Sequence, residues 1–534
     1  MTVGTWYHPT PWDRKMLTNL WLLLEPSIRK YGDNPAWICR HRDHRRVVTY
    51  RQLYDAVLTT ASKLRELGVE DGNTVGVTAP NGPEFTVAAL AAWKIGANIA
   101  PIHIGNSDHD IAQQIEAVAP KIMLIHQSRV EYEPAMEISM QADDERITRE
   151  SGMPVDKNAD KLAVRIYTSG STGNPKVVRL SHGNHASNVL AACKIEHFDE
   201  MDRFISLLPF SHAMGITANL LLPLYHGSTI VSPKVLAANE ILETLQQEGI
   251  SVVIAVPRLF RNIMLGLEKK FKSGGKALTM YRSLMKMAPL SLRRHINAPI
   301  RKKFGGRIKT WVSGGSHLDS RITQYYHDLG LPLRQGYGLT ETAPLTSVQE
   351  NFDSAPESVG KPVDQVRVKV HKPDENGSGE IWIKGPNVML GYEDLQQTGE
   401  AMLDGWFKSG DIGRLDDQGR IFLTGRSKRL IVSEAGKNVY PEELETLLER
   451  DPAVKEAGVL EADMRPVCIL AMEGNNPTDE ARRMLAEFNK LVSSHNRITR
   501  FALVDELPRT PLGKMAMQEL PAIFESNEVQ GSVK

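Results

Sequence analysis

The chain has 534 residues, and its 64 Lys and Arg balance its 64 Asp and Glu, so its formal net charge is zero. That balance gives no electrostatic support for a nucleic-acid partner, and the length predicts two or more domains. Three cysteines, Cys39, Cys193 and Cys468, lie far apart without metal-ligand spacing. They argue against a disulfide scaffold. Because the N-terminus has no apolar run typical of a signal peptide, we expect a cytoplasmic protein.

Short apolar runs alternate with helical patterns through the first two thirds of the chain. Residues 74–78 and 97–102 are predicted strands, and residues 84–95 between them form a predicted helix. The same alternation returns at 204–208 and 251–255. Strands interleaved with helices are typical of an α/β fold with largely parallel sheets.

The pattern changes from about residue 366 onward. Residues 366–370 and 380–384 alternate apolar and polar side chains with period two, which predicts antiparallel strands in a small β-barrel-like part. A helix is predicted at 441–450, with Pro441 in its first turn. The remaining hundred or so residues suffice for a small α+β domain.

The segment YTSGSTGNPK, residues 167–176, follows a predicted strand and concentrates glycines, hydroxyls and one lysine. Gly170 and Gly173 permit close approach of the backbone to a ligand, and Lys176 adds a positive charge. The composition predicts an anion cradle, with phosphate as the natural anion. A polar surface turn is the plain alternative. A Walker A loop is disfavoured because Gly173 is not followed by Lys and a hydroxyl residue.

This loop and four later segments resemble, in order, the signature motifs of the adenylate-forming superfamily. That superfamily contains acyl-CoA synthetases, adenylation domains of peptide synthetases, and luciferases. The four later segments are QGYGLTET at 335–342, WFKSGD at 406–411, GRSKRLI at 425–431 and PRTPLGK at 508–514. The resemblance covers nearly the whole chain.

The resemblance implies an ATP site assembled from these segments. Tyr337 is expected to offer a flat face to adenine, Gly315 to form part of the opposite wall, and Asp411 to accept hydrogen bonds from ribose. Arg426 is expected near the ribose and the phosphates. The full set of predicted ATP or AMP contacts is Thr168, Ser169, Gly170, Ser171, Thr172, Gly173, Lys176, Gly314, Gly315, Gln335, Gly336, Tyr337, Gly338, Asp411 and Arg426.

The resemblance also implies Mg²⁺ as a cofactor, because two anions meet in the first step and their repulsion must be cancelled. Glu341 is the predicted metal ligand, since Mg²⁺ prefers oxygen and needs few protein carboxylates beside phosphates. Thr340 is expected to donate to the α-phosphate. Lys514 is expected to be catalytic, with its ammonium group bridging the attacking carboxylate and nucleotide oxygens. An ordinary exposed lysine is the alternative.

For the second step, the family rotates its C-terminal domain. The resemblance places the hinge at Lys428, and therefore predicts an N-terminal domain over 1–427 and a small mobile C-terminal domain over 428–534. Gly436 and Lys437 are expected to line the channel for the pantetheine arm of coenzyme A.

His212 lies in LPFSHAMG, residues 208–215, which resembles the segment of the family beside the acyl site. Two interpretations stay open: a catalytic residue that gates or orients the substrate, or a structural histidine.

The predicted activity is ligation of a carboxylic acid to coenzyme A through acyl-AMP, with ATP consumed and AMP and pyrophosphate released. The run SEAGKNVYPEELE resembles fatty acyl-CoA synthetases, so a medium- or long-chain fatty acid is the first expectation. Three alternatives stay open: a CoA ligase for an aryl or polycyclic acid, an acyl-AMP ligase that loads an acyl carrier protein, and a catalytically silent binding protein on this fold.

Residues 269–303 contain many Lys and Arg and no Asp or Glu. The apolar residues interleaved with them are Leu284, Met285, Met287, Leu290 and Leu292. Such a segment fits peripheral contact with anionic lipid, or contact with the phosphates of coenzyme A. A solvated helical face is the alternative.

Overall fold

The computed structural model describes residues 17–168, 176–272, 288–432, 437–473, 476–509 and 515–529. The predicted site residues Ser169, Gly170, Ser171, Thr172, Gly173, Gly436 and Lys514 therefore lie outside the described residues. So does part of the basic segment.

The first fifteen strands belong to two mixed sheets. They are β1 (Pro35–Arg40), β2 (Arg45–Thr49), β3 (Thr74–Thr78), β4 (Asn98–Pro101), β5 (Ile122–Ile125), β6 (Ala135–Glu137), β7 (Leu162–Thr168), β8 (Lys176–Ser181), β9 (Arg203–Ile205), β10 (Thr229–Ser232), β11 (Val252–Ala255), β12 (Thr310–Ser313), β13 (Leu333–Tyr337), β14 (Ser347–Val348) and β15 (Lys361–Pro362). In the described chain the larger sheet has the order β15-β14-β13-β12-β11-β9-β10-β1-β2, and its strands from β1 through β10, β9, β11 and β12 to β13 are parallel.

Six further strands follow before residue 427. They are β16 (Arg367–His371), β17 (Gly379–Lys384), β18 (Gly391–Tyr392), β19 (Met402–Leu403), β20 (Trp406–Leu415) and β21 (Ile421–Arg426). Of these, β18 joins the second mixed sheet, which has the order β18-β8-β7-β4-β3-β5-β6. The other five form an antiparallel sheet, which corresponds to the small β-rich part expected from the sequence.

Helices cover the faces of the two mixed sheets. They are α1 (Leu20–Lys30), α2 (Tyr50–Glu66), α3 (Pro83–Lys94), α4 (Asp108–Val118), α5 (Asp144–Ser151), α6 (His182–Ile195), α7 (Leu222–His226), α8 (Ala238–Gln247), α9 (Pro257–Lys272), α10 (Leu290–Ile296), α11 (Ala298–Lys303), α12 (Ser320–Asp328) and α13 (Leu395–Ala401). Helix α6 begins at a capping box, in which Asn184 N donates to Ser181 Oγ and Ser181 N donates to Asn184 Oδ1. A π-helical segment, Gly215–Leu221, precedes α7.

A smaller α+β domain completes the chain. Its elements are β22 (Ile431–Val432), β23 (Asn438–Val439), α14 (Pro441–Leu448), β24 (Val454–Ala462), β25 (Arg465–Met472), α15 (Pro477–Leu491), β26 (Phe501–Val504) and α16 (Leu520–Asn527). Strands β24 and β25 are antiparallel, and β26 adds in parallel to β25. The predicted α/β class, with a large N-terminal and a small C-terminal domain, is confirmed.

The main core contains the fully buried Trp21, Trp37 and Trp93, and packs α1, α2, α3 and α6 against the sheets. A second core, around Trp311 and Tyr326, fills the space beneath α9 and α12. No helix in the described ranges combines the length and the apolar character needed to cross a bilayer.

One predicted strand is shorter than expected. The apolar run at 204–208 predicts five strand residues, but β9 ends at Ile205. Asn81 Nδ2 donates to Ser206 Oγ at 2.9 Å and to Leu208 O at 2.7 Å, and so holds the chain in a bend beyond the strand. This bend directs the following residues toward a large cleft.

Candidate active site

One cleft of about 2850 Å³ collects the described residues that the signature motifs nominate. It is lined from both the large and the small domain. The predicted site residues on its walls are Thr168, Lys176, His212, Gly314, Gly315, Gln335, Gly336, Tyr337, Gly338, Thr340, Glu341, Asp411, Arg426 and Lys428. Lys437 is exposed and does not line it.

The glycine-hydroxyl segment connects two antiparallel strands. Thr168 ends β7 and Lys176 begins β8, and these two residues are paired across the ladder. Thr168 Oγ1 also donates to Lys176 O at 3.3 Å. Because both ends line the cleft, residues 169–175 connect two points on its wall.

Two glycines on the predicted adenine side are required by the backbone. Gly315 has a backbone φ of +86°, which residues other than glycine rarely adopt. At Gly338, a Cβ atom would lie 1.5 Å from Pro344 O, so no other residue fits without moving the backbone. These positions keep the ends of β12 and β13 free of side chains where they reach the cleft.

The predicted ribose residue Asp411 is held by two partners from different strands. Tyr337 Oη donates to Asp411 Oδ2 at 2.7 Å, and Arg426 Nε lies 2.9 Å from Asp411 Oδ1. Asp411 and Arg426 are paired residues of β20 and β21. Burial raises the pKa of Asp411, although Arg426 and Tyr337 oppose that effect. The carboxylate thus has a fixed orientation, with lone pairs remaining for further donors.

Glu341 has a buried partner that the sequence analysis did not find. Tyr392, on β18, is 4% exposed, and its Oη donates to Glu341 Oε1 at 2.8 Å. Burial, and then Glu341, raise the pKa of Tyr392 above its usual range, so the phenol stays a donor. The Lys176 ammonium lies 4.4 Å from the centroid of the same ring. One aromatic side chain therefore connects the end of the loop to the predicted metal ligand.

Magnesium fits this arrangement. Glu341 Oε2 has no hydrogen-bond partner in the described part of the chain, which leaves one carboxylate oxygen for a cation. Across the described residues, no group of three or more His, Cys, Asp or Glu side chains forms a ready-made metal site. Mg²⁺ held by one carboxylate and by phosphates does not require one.

The predicted hinge residue lies where the two domains meet. Lys428 sits in a 3₁₀ turn, Ser427–Arg429. The next side chain, Arg429, pairs with Glu442 and Glu445 of α14. From the large domain, Arg261 on α9 donates to Glu449 Oε2 and to Lys455 O, both at 2.9 Å. The domains therefore meet through specific polar contacts beside the cleft.

His212 lies on the cleft wall, and its backbone N donates to Pro209 O at 3.1 Å. This position agrees with either interpretation of the residue, so its catalytic role stays a prediction. Within the basic segment, residues 288–303 do not line the cleft. Leu290, Leu292 and Ile296 are exposed there.

The family comparison agrees with the geometry. Residues 24–393, more than two thirds of the chain, match the model of the AMP-binding enzyme family. The chain therefore belongs to the AMP-binding enzymes, and the predicted adenylate-forming superfamily is confirmed.

Individual relatives are CoA ligases for different acids. The chain is 28% identical over 495 residues to the 2-succinylbenzoate–CoA ligase of Bacillus licheniformis, covering 90% of this chain and 95% of that protein. It is 26% identical to the indoleacetate–CoA ligase of Aromatoleum aromaticum, covering 91% and 96% of the two chains. It is also 26% identical to the long-chain-fatty-acid–CoA ligase heimdall of Drosophila melanogaster, covering 80% and 72%. The predicted enzyme class, an AMP-forming acid–thiol ligase, agrees with these relatives.

Among solved structures, the o-succinylbenzoate CoA synthetase of Bacillus subtilis with its acyl-adenylate intermediate is similar in fold. The TM-score is 0.75 at 24% identity, covering 94% of this chain and 98% of that one. The crystal structure of ATP-bound MatB from Rhodopseudomonas palustris gives a TM-score of 0.76 at 23% identity, covering 95% and 99%. These similarities confirm the two-domain α/β architecture.

Proposed function

We propose that this protein is an ATP-dependent carboxylic acid–CoA ligase that forms an acyl-AMP intermediate. The observation that carries the proposal is the convergence on one cleft of every described predicted site residue except Lys437. ATP, Mg²⁺ and coenzyme A are the implied cofactor and co-substrates.

In the first half-reaction, a carboxylate oxygen of the acid attacks the α-phosphorus of ATP. A bond forms between the carboxylate oxygen and the α-phosphorus. The bond from the α-phosphorus to the oxygen that bridges it to the β-phosphorus breaks, and pyrophosphate leaves with the electron pair of that bond. In this proposal Lys176 and Thr340 would donate to phosphate oxygens. Glu341 would hold Mg²⁺, which would neutralise the charge that develops on the phosphates. Asp411, which contacts Tyr337 and Arg426, would accept from the ribose hydroxyls.

In the second half-reaction, the thiolate of coenzyme A attacks the acyl carbon. A C–S bond forms, the C–O bond to the phosphate breaks, and AMP leaves. We assign the boundary between 1–427 and 428–534 to this step, with Lys428 as the pivot. Lys514 would serve the first half-reaction, and Gly436 and Lys437 would guide pantetheine in the second.

The relatives favour an aryl or related acid over the fatty acid expected first. Most of the relatives described above act on acids that contain an aromatic ring, and one acts on long-chain fatty acids. Their named acceptor is coenzyme A, which supports coenzyme A over an acyl carrier protein. Membrane contact through 269–303 rests on the exposed leucines and the basic side chains alone.

The test is acid-dependent exchange of labelled pyrophosphate into ATP, followed by supply of either coenzyme A or a holo acyl carrier protein. The proposal predicts exchange with an accepted acid and thioester formation with coenzyme A. Exchange with transfer to the carrier protein alone would identify the acyl-AMP ligase alternative. Absence of exchange with every acid in an aryl and alkyl panel would favour the catalytically silent protein.

A further inference from the structure

One part of the cleft, here called the channel, lies between α6 and the larger sheet, beside the predicted nucleotide site. Asn188, Ala192 and Ile195 share one face of α6, and Glu196 continues that face just beyond the helix. Opposite them, Thr310 and Val312 lie on one face of β12, and Val312 is paired with Arg334 of β13. All of these residues line the same cleft.

The channel is short. Asn188 lies near the nucleotide end, because its Nδ2 donates to Thr342 O at 2.8 Å, beside Glu341. Glu196 lies eight residues further along, and a helix rises about 1.5 Å per residue, so this wall is about 12 Å long. On the sheet side, Thr310 precedes Gly314 by four residues, which at about 3.3 Å each gives about 13 Å.

The far end of the channel is polar and mostly buried. Arg334 is 3% exposed, and its Nη2 donates to Oε2 of Glu196, whose side chain is 23% exposed. Arg334 Nε and Thr310 Oγ1 are buried and have no hydrogen-bond partner within the described ranges. Asn188 Oδ1, at the near end, is also without one. Because buried polar atoms are normally satisfied, these atoms point to a ligand that supplies partners.

The walls between the two ends are apolar. They include Ala192, Ile195, Val312 and, from the π-helical segment and its continuation, Ala218 and Leu222. An aromatic ring fits such a slot. A long alkyl chain would have to end against the Arg334–Glu196 ion pair or extend beyond it. In either case the alkyl chain offers no hydrogen-bond partner to Arg334 Nε and Thr310 Oγ1.

We propose that the acid substrate is a hydroxyaryl acid, whose distal hydroxyl accepts a hydrogen bond from Arg334 and donates one to Glu196. This inference rests on the proposed ligase function and specifies its substrate class. The charge of Arg334 is already neutralised by Glu196. A substrate with a second carboxylate at its distal end would therefore bring an uncompensated negative charge beside Glu196. A neutral hydroxyl both donates and accepts, and therefore matches the pair.

The test compares three acids in AMP formation by the full-length protein: 4-hydroxycinnamic acid, cinnamic acid and decanoic acid. A site built to bind a hydroxyl discriminates against an analogue that lacks it. Because the hydroxyl would bond to two charged groups, we expect kcat/KM for 4-hydroxycinnamic acid to exceed that for cinnamic acid by about tenfold or more. Equal values, a preference for decanoic acid, or a preference for an aromatic dicarboxylic acid would overturn the inference and leave the ligase function standing. No AMP with any of these acids, and no pyrophosphate exchange across the wider panel, would instead reject the proposed function.

A variant test separates this site from general effects on stability. Replacing both members of the pair, Arg334→Leu with Glu196→Leu, leaves no unpaired buried charge. We expect this double variant to treat 4-hydroxycinnamic and cinnamic acid alike. The matched control is Arg46→Leu with Glu84→Leu, a partly buried Arg–Glu pair away from the cleft, which should retain the wild-type preference. If the double variant at Arg334 and Glu196 keeps the wild-type preference, the assignment of the hydroxyl site is wrong. If the double variant does not fold, the comparison of the three acids with the wild-type protein decides whether the assignment holds.

Discussion

Tyr392 donates its hydroxyl hydrogen to Glu341 at 2.8 Å, and the two residues lie 51 positions apart in sequence. Pairing of β18 with β8 places Tyr392 opposite Val178, just after the loop that ends at Lys176. The contact therefore links the predicted phosphate loop to the predicted metal ligand. It fixes one oxygen of Glu341 and leaves the other available for Mg²⁺.

Tyr392→Phe should raise the Mg²⁺ concentration needed for half-maximal adenylation. A hydrogen bond to a charged group contributes about 1.5 kcal/mol or more, so we expect about a tenfold change. The measurement is a magnesium titration of ATP binding by calorimetry, together with pyrophosphate exchange.

The phenylalanine retains the aromatic ring beneath Lys176, so the variant measures the effect of removing the hydroxyl alone. Tyr54→Phe is the matched control, because Tyr54 Oη also donates to a glutamate, Glu25, away from the cleft. If Tyr392→Phe and Tyr54→Phe have the same magnesium dependence, Tyr392 does not position Glu341.

Lys514→Ala should slow adenylation about a hundredfold or more, because removal of one preorganised donor typically costs about 3 kcal/mol of transition-state stabilisation. Thioester formation from a preformed acyl-adenylate should be largely retained. Rapid-quench measurement of each half-reaction separates the two. Equal loss in both would show that Lys514 has no specific role in the first.

Gly436→Trp should impair the second half-reaction and spare the first, the reverse of Lys514→Ala. A bulky side chain in the pantetheine channel would obstruct thioester formation, while pyrophosphate exchange would proceed near the wild-type rate. Gly399→Trp is a suitable control, since no atom lies near the position of a Cβ there. Turnover with coenzyme A at the wild-type rate would contradict the channel assignment.

Two buried histidines predict a loss of stability in mild acid. Burial lowers the pKa of both His182 and His185 from 6.5 to about 3. Below pH 6.5 the unfolded chain binds protons that the folded chain excludes, so the free energy of unfolding falls as pH falls toward 3. Each histidine contributes a slope of about 1.4 kcal/mol per pH unit within that window.

The test is urea unfolding of the wild type and of His185→Gln between about pH 6 and about pH 5. The variant should lose less stability than the wild type over this interval, by about 1.2 kcal/mol. Identical slopes would show that His185 does not remain neutral in the folded protein.

Sequence patterns predicted the fold well where a contiguous apolar run marks a buried strand or helix. Strands β3, β4 and β11 lie within two residues of the expected bounds, and so does helix α3, because each is a mostly apolar run that is buried along its whole length. The end of β9 was not predictable, because it depends on Asn81, more than a hundred positions earlier.

Contiguous motifs identified residues that line the cleft, and the sequence missed contacts that long-range packing creates. Asp411 and Tyr337 were nominated separately, but their hydrogen bond spans 74 positions. The contact between Arg334 and Glu196 spans 138 positions and follows from the approach of the end of α6 to β13. Neither residue of that pair stands out locally, since charged residues are usually solvated.

The central claim is that ATP is cleaved at its α-phosphorus with transfer of AMP to an acid. The most direct measurement is mass spectrometry of a single turnover with ATP, Mg²⁺ and an accepted acid, without coenzyme A. The account predicts acyl-AMP and pyrophosphate in equal amounts. ADP and orthophosphate, with no acyl-AMP, would contradict it.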